Sequence, residues 1–429
     1  MNFLIVGANF RNKGAQSMLF ITVDELKKRV PDCNVYFATD EKYDEDLYVF
    51  KKFYYSDVSK LIALEPDSLI TKTKKIKRWA KDVIKFVIGQ RQDLFCYNDT
   101  TDQFGKINFV IDISGFNIGS KWSVNQQESF INNIRLAKKY NTPIALMPQS
   151  FGDFNYSKKQ EHILPEIEKW FKYPKLIFAR EKEGYNDLME QFHLTNVKLS
   201  TDLVLQNTDV NINNIYKKLP KMKLPSVRKS SEKGISNLVA IIPNRQCFNH
   251  GDEKINIRLY KKIILNLLSR KKTIYLFRHS KEDLEVCYMI VQQFSKDTEI
   301  KNKNEGRTSY NNGSIILLDN DFSCFEYDVF IKNFDFIICS RFHGCVHAYR
   351  NSIPCILLGW ATKYQELAEN VGQKKYAFDI TDKNVKIDKI VSTIDDMIEN
   401  CVKESKIIKE HVYEIQKYNC FDQIEKWWH

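Results

Sequence analysis

No apolar run in this 429-residue sequence approaches the ~20 residues that a membrane-crossing helix needs. The opening MNFLIVGANF lacks the basic flank and small-residue cleavage site of a secretory leader. It reads as a first β-strand, so the expected location is the cytoplasm. No C-x-x-C occurs among the ten cysteines, which fall at Cys33, Cys96, Cys247, Cys287, Cys324, Cys339, Cys345, Cys355, Cys401 and Cys420. Several sit in apolar runs, where cysteine behaves as a small hydrophobe, so reduced thiols are expected rather than a disulfide framework. Internal repeats and low-complexity tracts are also lacking. The formal net charge is +11, yet there is no helix-turn-helix, zinc-finger or RNP-like motif. The charge therefore points away from nucleic acid and toward a phosphorylated substrate or an anionic surface.

What the sequence does hold is apolar material in quantity: 43% of residues, including 28 Phe and 21 Tyr. A chain of this length exceeds what one core usually supports, so two domains are expected. Short apolar runs alternate with helical patterns. FLIVGA (3–8) precedes an amphipathic stretch from Ala15 to Val30. NVYFATD (34–40), NFVIDISG (108–115), PIALMPQS (143–150) and KLIFARE (175–181) follow, with a helical stretch from Gln127 to Tyr140. Nearly all-apolar strands of this kind have both faces covered by helices, the pattern of a doubly wound parallel sheet. Residues 209–235 are polar, basic and carry Pro220 and Pro225, as a linker would. A second series then runs through NLVAIIPNR (237–245), KTIYLFRHS (272–280), SIILLD (314–319), DFIICSRFHG (335–344) and IPCILLGW (353–360). The reading is an α/β chain with two Rossmann-like domains facing a cleft. They cover 1–208 and 236–400, with a C-terminal helical segment at 401–429. Ligands of such sheets bind beyond the carboxyl ends of the strands.

The most informative segment is SRFHGCVHAYRNSIPCILLGWATKYQELAENVG (340–372). Arg341 and His343 stand at the tip of a strand where a helix begins, with Gly344 allowing close backbone approach. A cation, an imidazole and free N–H groups at a helix N-terminus make an anion site, and the imidazole can act as general acid. The same residues could instead cap the helix and pair with a neighbouring acid. His343 and His347 share a helix face, but no third ligand is evident, so no metal is expected.

This segment resembles the C-terminal signature of the polysaccharide pyruvyl transferases, through Arg341, His343, Ala348, Pro354, Lys363 and Gly372. VGANFRNKGAQSML (6–19) is similar to that family's opening loop and helix, with Ala15 where an acid is common. DISGFNIGS (112–120) resembles its Gly-rich turn, with Phe116 in place of a further glycine. MPQSFG (147–152), FARE (178–181), STDLVL (200–205) and IIPNR (241–245) extend the resemblance over most of the chain.

The resemblance implies a fold similar to the B-type glycosyltransferases. It also implies transfer of a pyruvyl group from phosphoenolpyruvate to two sugar hydroxyls of a cell-surface polysaccharide or its lipid-linked precursor, with no cofactor beyond that co-substrate. It places the acceptor on the N-terminal domain and the donor on the C-terminal one. His343 is then the general acid or phosphate stabiliser, and Arg245, Arg341 and Lys363 bind the donor. Asn9, Asn117 and Gln149 could meet the acceptor, or serve only as turn and capping residues. Asp202 reads as a partner of Arg180, while Arg278 and His279 follow a strand that could face the cleft. Glu366 keeps open a nucleotide-sugar glycosyltransferase of the same fold. Residues 71–91, TKTKKIKRWAKDVIKFVIGQR, read as a basic amphipathic helix. Such a helix could rest on an anionic membrane, guide an anionic acceptor, or cover the first domain's core.

Overall fold

The computed structural model describes residues 1–53, 104–207, 209–227, 237–294, 300–302, 307–310, 314–360 and 362–428. The basic stretch 71–91 lies outside the described residues, as does the end of the expected linker.

The N-terminal sheet has seven parallel strands: β1 (Asn2–Val6), β2 (Asn34–Ala38), β3 (Lys51–Phe53), β4 (Phe109–Asp112), β5 (Ile144–Gln149), β6 (Leu176–Ala179) and β7 (Val197–Leu199). Their order is β3-β2-β1-β4-β5-β6-β7. The strands are short and apolar, and β4, β5 and β6 are buried throughout. The C-terminal sheet runs β10-β11-β12-β9-β8-β13-β14-β15. It comprises β8 (Leu238–Ile242), β9 (Thr273–Phe277), β10 (Ile300–Asn302), β11 (Arg307–Tyr310), β12 (Ile315–Leu318), β13 (Phe336–Cys339), β14 (Cys355–Gly359) and β15 (Ala377–Asp379). Among the described residues of this sheet, only β10–β11 and β11–β12 pair antiparallel, at one edge. The molecule is thus an α/β protein of two Rossmann-like domains across a cleft. The apolar runs read from the sequence coincide with the central strands. The edge strands β3, β7, β10 and β15, and β11 next to β10, carry no such run and were not anticipated.

Each sheet reverses its strand order at one point, between β1 and β4 in the first and between β8 and β13 in the second. A crevice opens at such a point. Helix α1 (Lys13–Arg29) starts beside the first reversal, with the Asn12 side chain accepting from the N–H groups of Gly14 and Ala15. Helix α2 (Val124–Lys139) covers the first sheet and begins with a Ser123/Gln126 capping box. Helix α3 (Phe342–Arg350) starts beside the second reversal and has no side-chain cap at Arg341. The helix thus begins at the strand tip itself, with His343 in its first turn. Helix α4 (Thr362–Asn370) follows β14.

A long helix, α5 (Ile387–Gln416), runs unbroken through position 400, where the sequence suggested a boundary. The chain then crosses to the first domain and ends in the short helix α6 (Cys420–Ile424). There Trp428 packs edge-on against Phe3, with ring centroids 5.0 Å apart, and lies 6.4 Å from Phe109. Arg29 pairs with Asp422, and the Cys420 N–H donates to Gln206 Oε1 at 3.1 Å. The tail thus fastens the second domain to the underside of the first. Trp428 is only 4% exposed. Trp428→Ala should cost about 3–5 kcal/mol, the usual penalty for emptying a buried Trp site. A lowered melting temperature with the α/β circular dichroism signal intact would show it.

Candidate active site

The two strand-order reversals face each other, and the N-termini of α1 and α3 meet between them. Contact is close enough that glycine is required at position 14. A Cβ built there would fall 2.0 Å from His343 Cγ and 2.2 Å from its Nδ1. The first turn of α1 supplies further links to the second domain. Lys13 Nζ pairs with Asp321 at 2.7 Å, Gln16 Oε1 accepts the Cys324 N–H at 2.7 Å, and Ser17 Oγ lies 2.9 Å from His347 Nε2. His347 Nδ1 also meets Asp328 at 2.6 Å. His347 is therefore a buried structural histidine and does not converge with His343.

His343 Nε2 is buried and sits 3.5 Å from Asp202 Oδ2, too long for a good hydrogen bond, and has no other partner. Burial lowers its pKa, an effect that Asp202 only partly offsets, so the ring is neutral near pH 7. Burial also works against the charge of Asp202, yet its carboxyl is held well below the usual range. With His343 neutral, the lasting counter-charge is Arg180, whose Nη1 donates to Asp202 at 2.7 Å. Arg180 also donates to Glu181, Ser150 Oγ and the Gly115 carbonyl, and its guanidinium stacks 4.2 Å from the Phe342 ring. Every arm of Arg180 is thus engaged.

The arginines expected to bind the donor are also engaged. Arg341 makes a bidentate pair with Asp283, at 2.8 and 2.6 Å, and reaches Glu282 at 2.6 Å. The Arg245 N–H donates to the same Asp283, while its guanidinium lies 3.5 Å from Glu285. Both residues stand at strand ends beside the second reversal, but they face the carboxylates that open the helix Asp283–Val291. Arg278 donates to the Asp319 and Asn320 carbonyls. His279 is buried against Tyr327 without a partner on either nitrogen, which keeps it neutral.

Lys363 is different. It stands in the first turn of α4, half-buried in the cleft. Its Nζ lies over the rings of Phe116 (4.6 Å), Phe342 (5.4 Å) and Trp360 (5.6 Å). Among the described residues no carboxylate comes within ion-pair distance of it. Burial, then the positive charge of Arg180, pulls its pKa down to about 7. Lys363 is thus divided between its charged and neutral forms near neutral pH, able to give or take a proton there. It lines a cleft cavity of about 280 Å³ that both domains form, with Phe116, Lys121, Asp153, Trp360 and Asp379. Glu366, the residue that kept a ribose contact open, instead accepts the Lys182 N–H at 2.7 Å and clasps the domains together.

Asn9 and Asn117 line a second cavity, about 310 Å³, at the β1/β4 reversal, with Ser114, Gln126 and Asn133. Asn9 also has a turn role, its Oδ1 accepting the Asn12 N–H at 3.0 Å. Gln149 is not in this wall; it is 1% exposed, beneath the crevice and beside Asp112. Sequence reasoning passed over Lys13, Gly14, Gln16 and Ser17. The available signal was a helix opening on polar residues, all of which are buried here.

The model of a family described as polysaccharide pyruvyl transferase matches residues 12–362, from the cap of α1 to the residue before Lys363. A search of curated proteins finds no match. Solved structures match in fold. A trehalose-6-phosphate synthase, OtsA, is 9% identical with a TM-score of 0.51, covering 99% of each chain. The Anabaena protein Alr3699/HepE, in complex with UDP, is 11% identical with a TM-score of 0.50, covering 97% of this chain and 98% of that one. An E. coli structure described as trehalose-6-phosphate bound with UDP-2-fluoro glucose is 8% identical with a TM-score of 0.50, covering 100% and 99%. The two domains are arranged as in B-type glycosyltransferases and related epimerases, a likeness of fold alone.

Asp112 beneath the crevice gives a pH-dependent test. Burial raises its pKa to about 6, although Ser114 N–H and Asn133 Nδ2 donate to it at 2.9 and 3.2 Å. Its folded pKa lies above the unfolded value of ~3.9, so the folded state gains a proton between them and loses stability as pH rises through about 6. Asp112→Asn removes that loss, and Asn133 can turn its unpartnered Oδ1 toward the new amide. The variant should melt a few degrees higher at pH 7.5, on the order of 1 kcal/mol. The gain should vanish near pH 4. A gain independent of pH would show that the charge of Asp112 is not its cause.

Proposed function

The chain belongs to the polysaccharide pyruvyl transferase family, and on that premise we propose that it moves the pyruvyl unit of phosphoenolpyruvate onto two hydroxyls of one sugar, forming a cyclic ketal. The reaction is placed in the cytoplasm. The acceptor is a cell-surface polysaccharide or its lipid-linked precursor, and the lysine-rich sequence of residues 71–91 fits an acceptor carried on an anionic surface.

The observation that carries the reading is Lys363, an amine in the cleft between the domains that has no carboxylate partner among the described residues and exchanges its proton near neutral pH. Ketal formation needs a base for an incoming hydroxyl, a proton for C3 of the enolpyruvyl group, and stabilisation of the departing phosphate. The two hydroxyls release two protons; one ends on C3 and the other leaves with phosphate. Lys363 accepts the first and, once protonated, pairs with the donor's anionic groups. His343 faces Asp202 and gains basicity when a donor anion approaches, because added negative charge favours the imidazolium. It then acts as proton donor or phosphate stabiliser. The uncapped N–H groups at the start of α3 add to the anion site. Arg341 and Arg245 contribute positive potential from behind their pairs with Asp283 and Glu285, and Asn9 and Asn117 contact the acceptor glycan away from the reacting hydroxyls. Gln149 supports the floor of that crevice.

Phosphate release from phosphoenolpyruvate in the presence of a glycan acceptor tests the proposal. In free enzyme, kcat/KM should rise with pH through about 7 as Lys363 loses its proton. Lys363→Met should remove that limb and lower kcat/KM by roughly 10²–10⁴-fold, as should His343→Ala. Wild-type protein that turns over a nucleotide sugar but ignores phosphoenolpyruvate would overturn the assignment.

A further inference from the structure

The cavity around Lys363 has chemistry of its own beyond that amine. Its floor is buried and includes Ser150, Phe151 and Glu181, whereas its rim is exposed at Lys121, Glu183 and Asp379. Between them stand two half-buried aromatic rings from opposite domains. Phe116 belongs to the loop after β4 and is braced edge-on by Trp122, with centroids 5.2 Å apart at 81°. Trp360 directly follows β14 and is stacked on His250 at 4.5 Å and 17°. One face of the indole is therefore occupied; Lys121 Nζ also lies 5.5 Å over the ring, so a ligand that stacks there displaces that flexible side chain. Lys363 Nζ lies 4.6 Å from the Phe116 ring and 5.6 Å from that of Trp360, so both rings border the same reacting amine.

Charge decides what such a space accepts. The lining holds four carboxylates, Asp153, Glu181, Glu183 and Asp379, against two lysines. A multiply charged anion such as phosphoenolpyruvate is disfavoured in its outer part. A neutral polyol is favoured, because its hydroxyls donate to carboxylates and its C–H faces lie well on aromatic rings, whose faces are negative. At about 280 Å³ the cavity is at the lower end of the ~300–1,000 Å³ range of small-molecule sites, enough for a single ring rather than a chain.

We propose that Phe116 and Trp360 clamp the one sugar ring that receives the pyruvyl group, and that Phe116 sets which sugar fits. The inference rests on the pyruvyl-transfer reading for the reaction, though not for the binding of the sugar. The ring enters from the rim, its hydroxyls meet Asp153 and Asp379, and the hydroxyl pair points inward to Lys363. The Phe116 side chain lines this cavity, so removing it to glycine would widen the space available to a sugar.

Two measurements test the proposal on the full chain. Saturation-transfer difference NMR with methyl β-glycosides of galactose, glucose and N-acetylmannosamine probes binding without turnover. At least one should receive saturation on its ring C–H protons, and the signal should be lost in Trp360→Ala and kept in Trp360→Phe. In phosphate-release assays, Trp360→Ala should raise the acceptor KM at least tenfold while the phosphoenolpyruvate KM stays within twofold. Phe116→Gly should broaden the range of glycosides used. Saturation of no glycoside by wild-type protein, or equal saturation in Trp360→Ala, overturns the clamp. So does a rise in the phosphoenolpyruvate KM alone. If wild-type protein releases no phosphate with any glycoside, the pyruvyl-transfer reading falls, and the NMR comparison still decides whether a sugar sits between the two rings.

Discussion

Two helix N-termini, one from each domain, meet at van der Waals distance, and that contact organises the rest of the cleft. It is possible only because residue 14 has no side chain, since any Cβ there would overlap the imidazole of His343. Around this point the first turn of α1 is tied to the second domain through Lys13, Gln16 and Ser17. The crossing C-terminal segment fastens the far side through Trp428 and Arg29. The domains are thus held closed by polar contacts at the site and apolar contacts behind it. Burial of titratable groups near the site follows from that closure.

Burial acts differently on each group because the partners differ. Arg180 and Asp202 keep their charges by pairing directly. His343 lies beyond good hydrogen-bond range of Asp202 and becomes neutral. Lys363 has aromatic rings where a carboxylate would be needed, and it too loses charge. Lys363 lines a cavity that both domains form, while the neutral imidazole of His343 sits on the preceding helix beside Asp202. Such groups can move protons at neutral pH, and an arriving anionic donor shifts both toward their charged forms. The carboxylates that hold Arg341 and Arg245 position these residues beside the second strand-order reversal, leaving Lys363 as the amine that can respond to a ligand.

Much of the architecture was legible because buried parallel strands are apolar along their whole length. The central strands and the body of α1 could be read directly, though α1 begins at Lys13 rather than Ala15, and the strand-end placement of Arg341 and His343 followed. What the sequence could not convey was pairing. Asp283 and Glu282 lie nearly 60 positions before Arg341, and nothing local says that they claim its guanidinium. Nor does the sequence reveal that Gly14 touches His343 across more than 300 residues, or that helix α5 passes through the boundary expected at 400. Edge strands were missed because, half-covered or exposed, they need no apolar run. Asn9 and Asn117 were correctly grouped as strand-end residues and share one crevice. Gln149, of the same type and setting, is turned beneath it.

The account depends on the Gly14–His343 contact being part of the catalytic machinery rather than mere packing. Gly14→Ala adds one methyl group to a helix that tolerates alanine well, but at a point 2.0 Å from the imidazole. The direct measurement is the rate of phosphate release from phosphoenolpyruvate by Gly14→Ala, followed by ³¹P NMR beside wild type at a temperature where both are folded. A loss of at least a hundredfold in rate is predicted for the folded variant, alongside a lowered melting temperature from the overlap. A folded Gly14→Ala protein that turns over at the wild-type rate would contradict it.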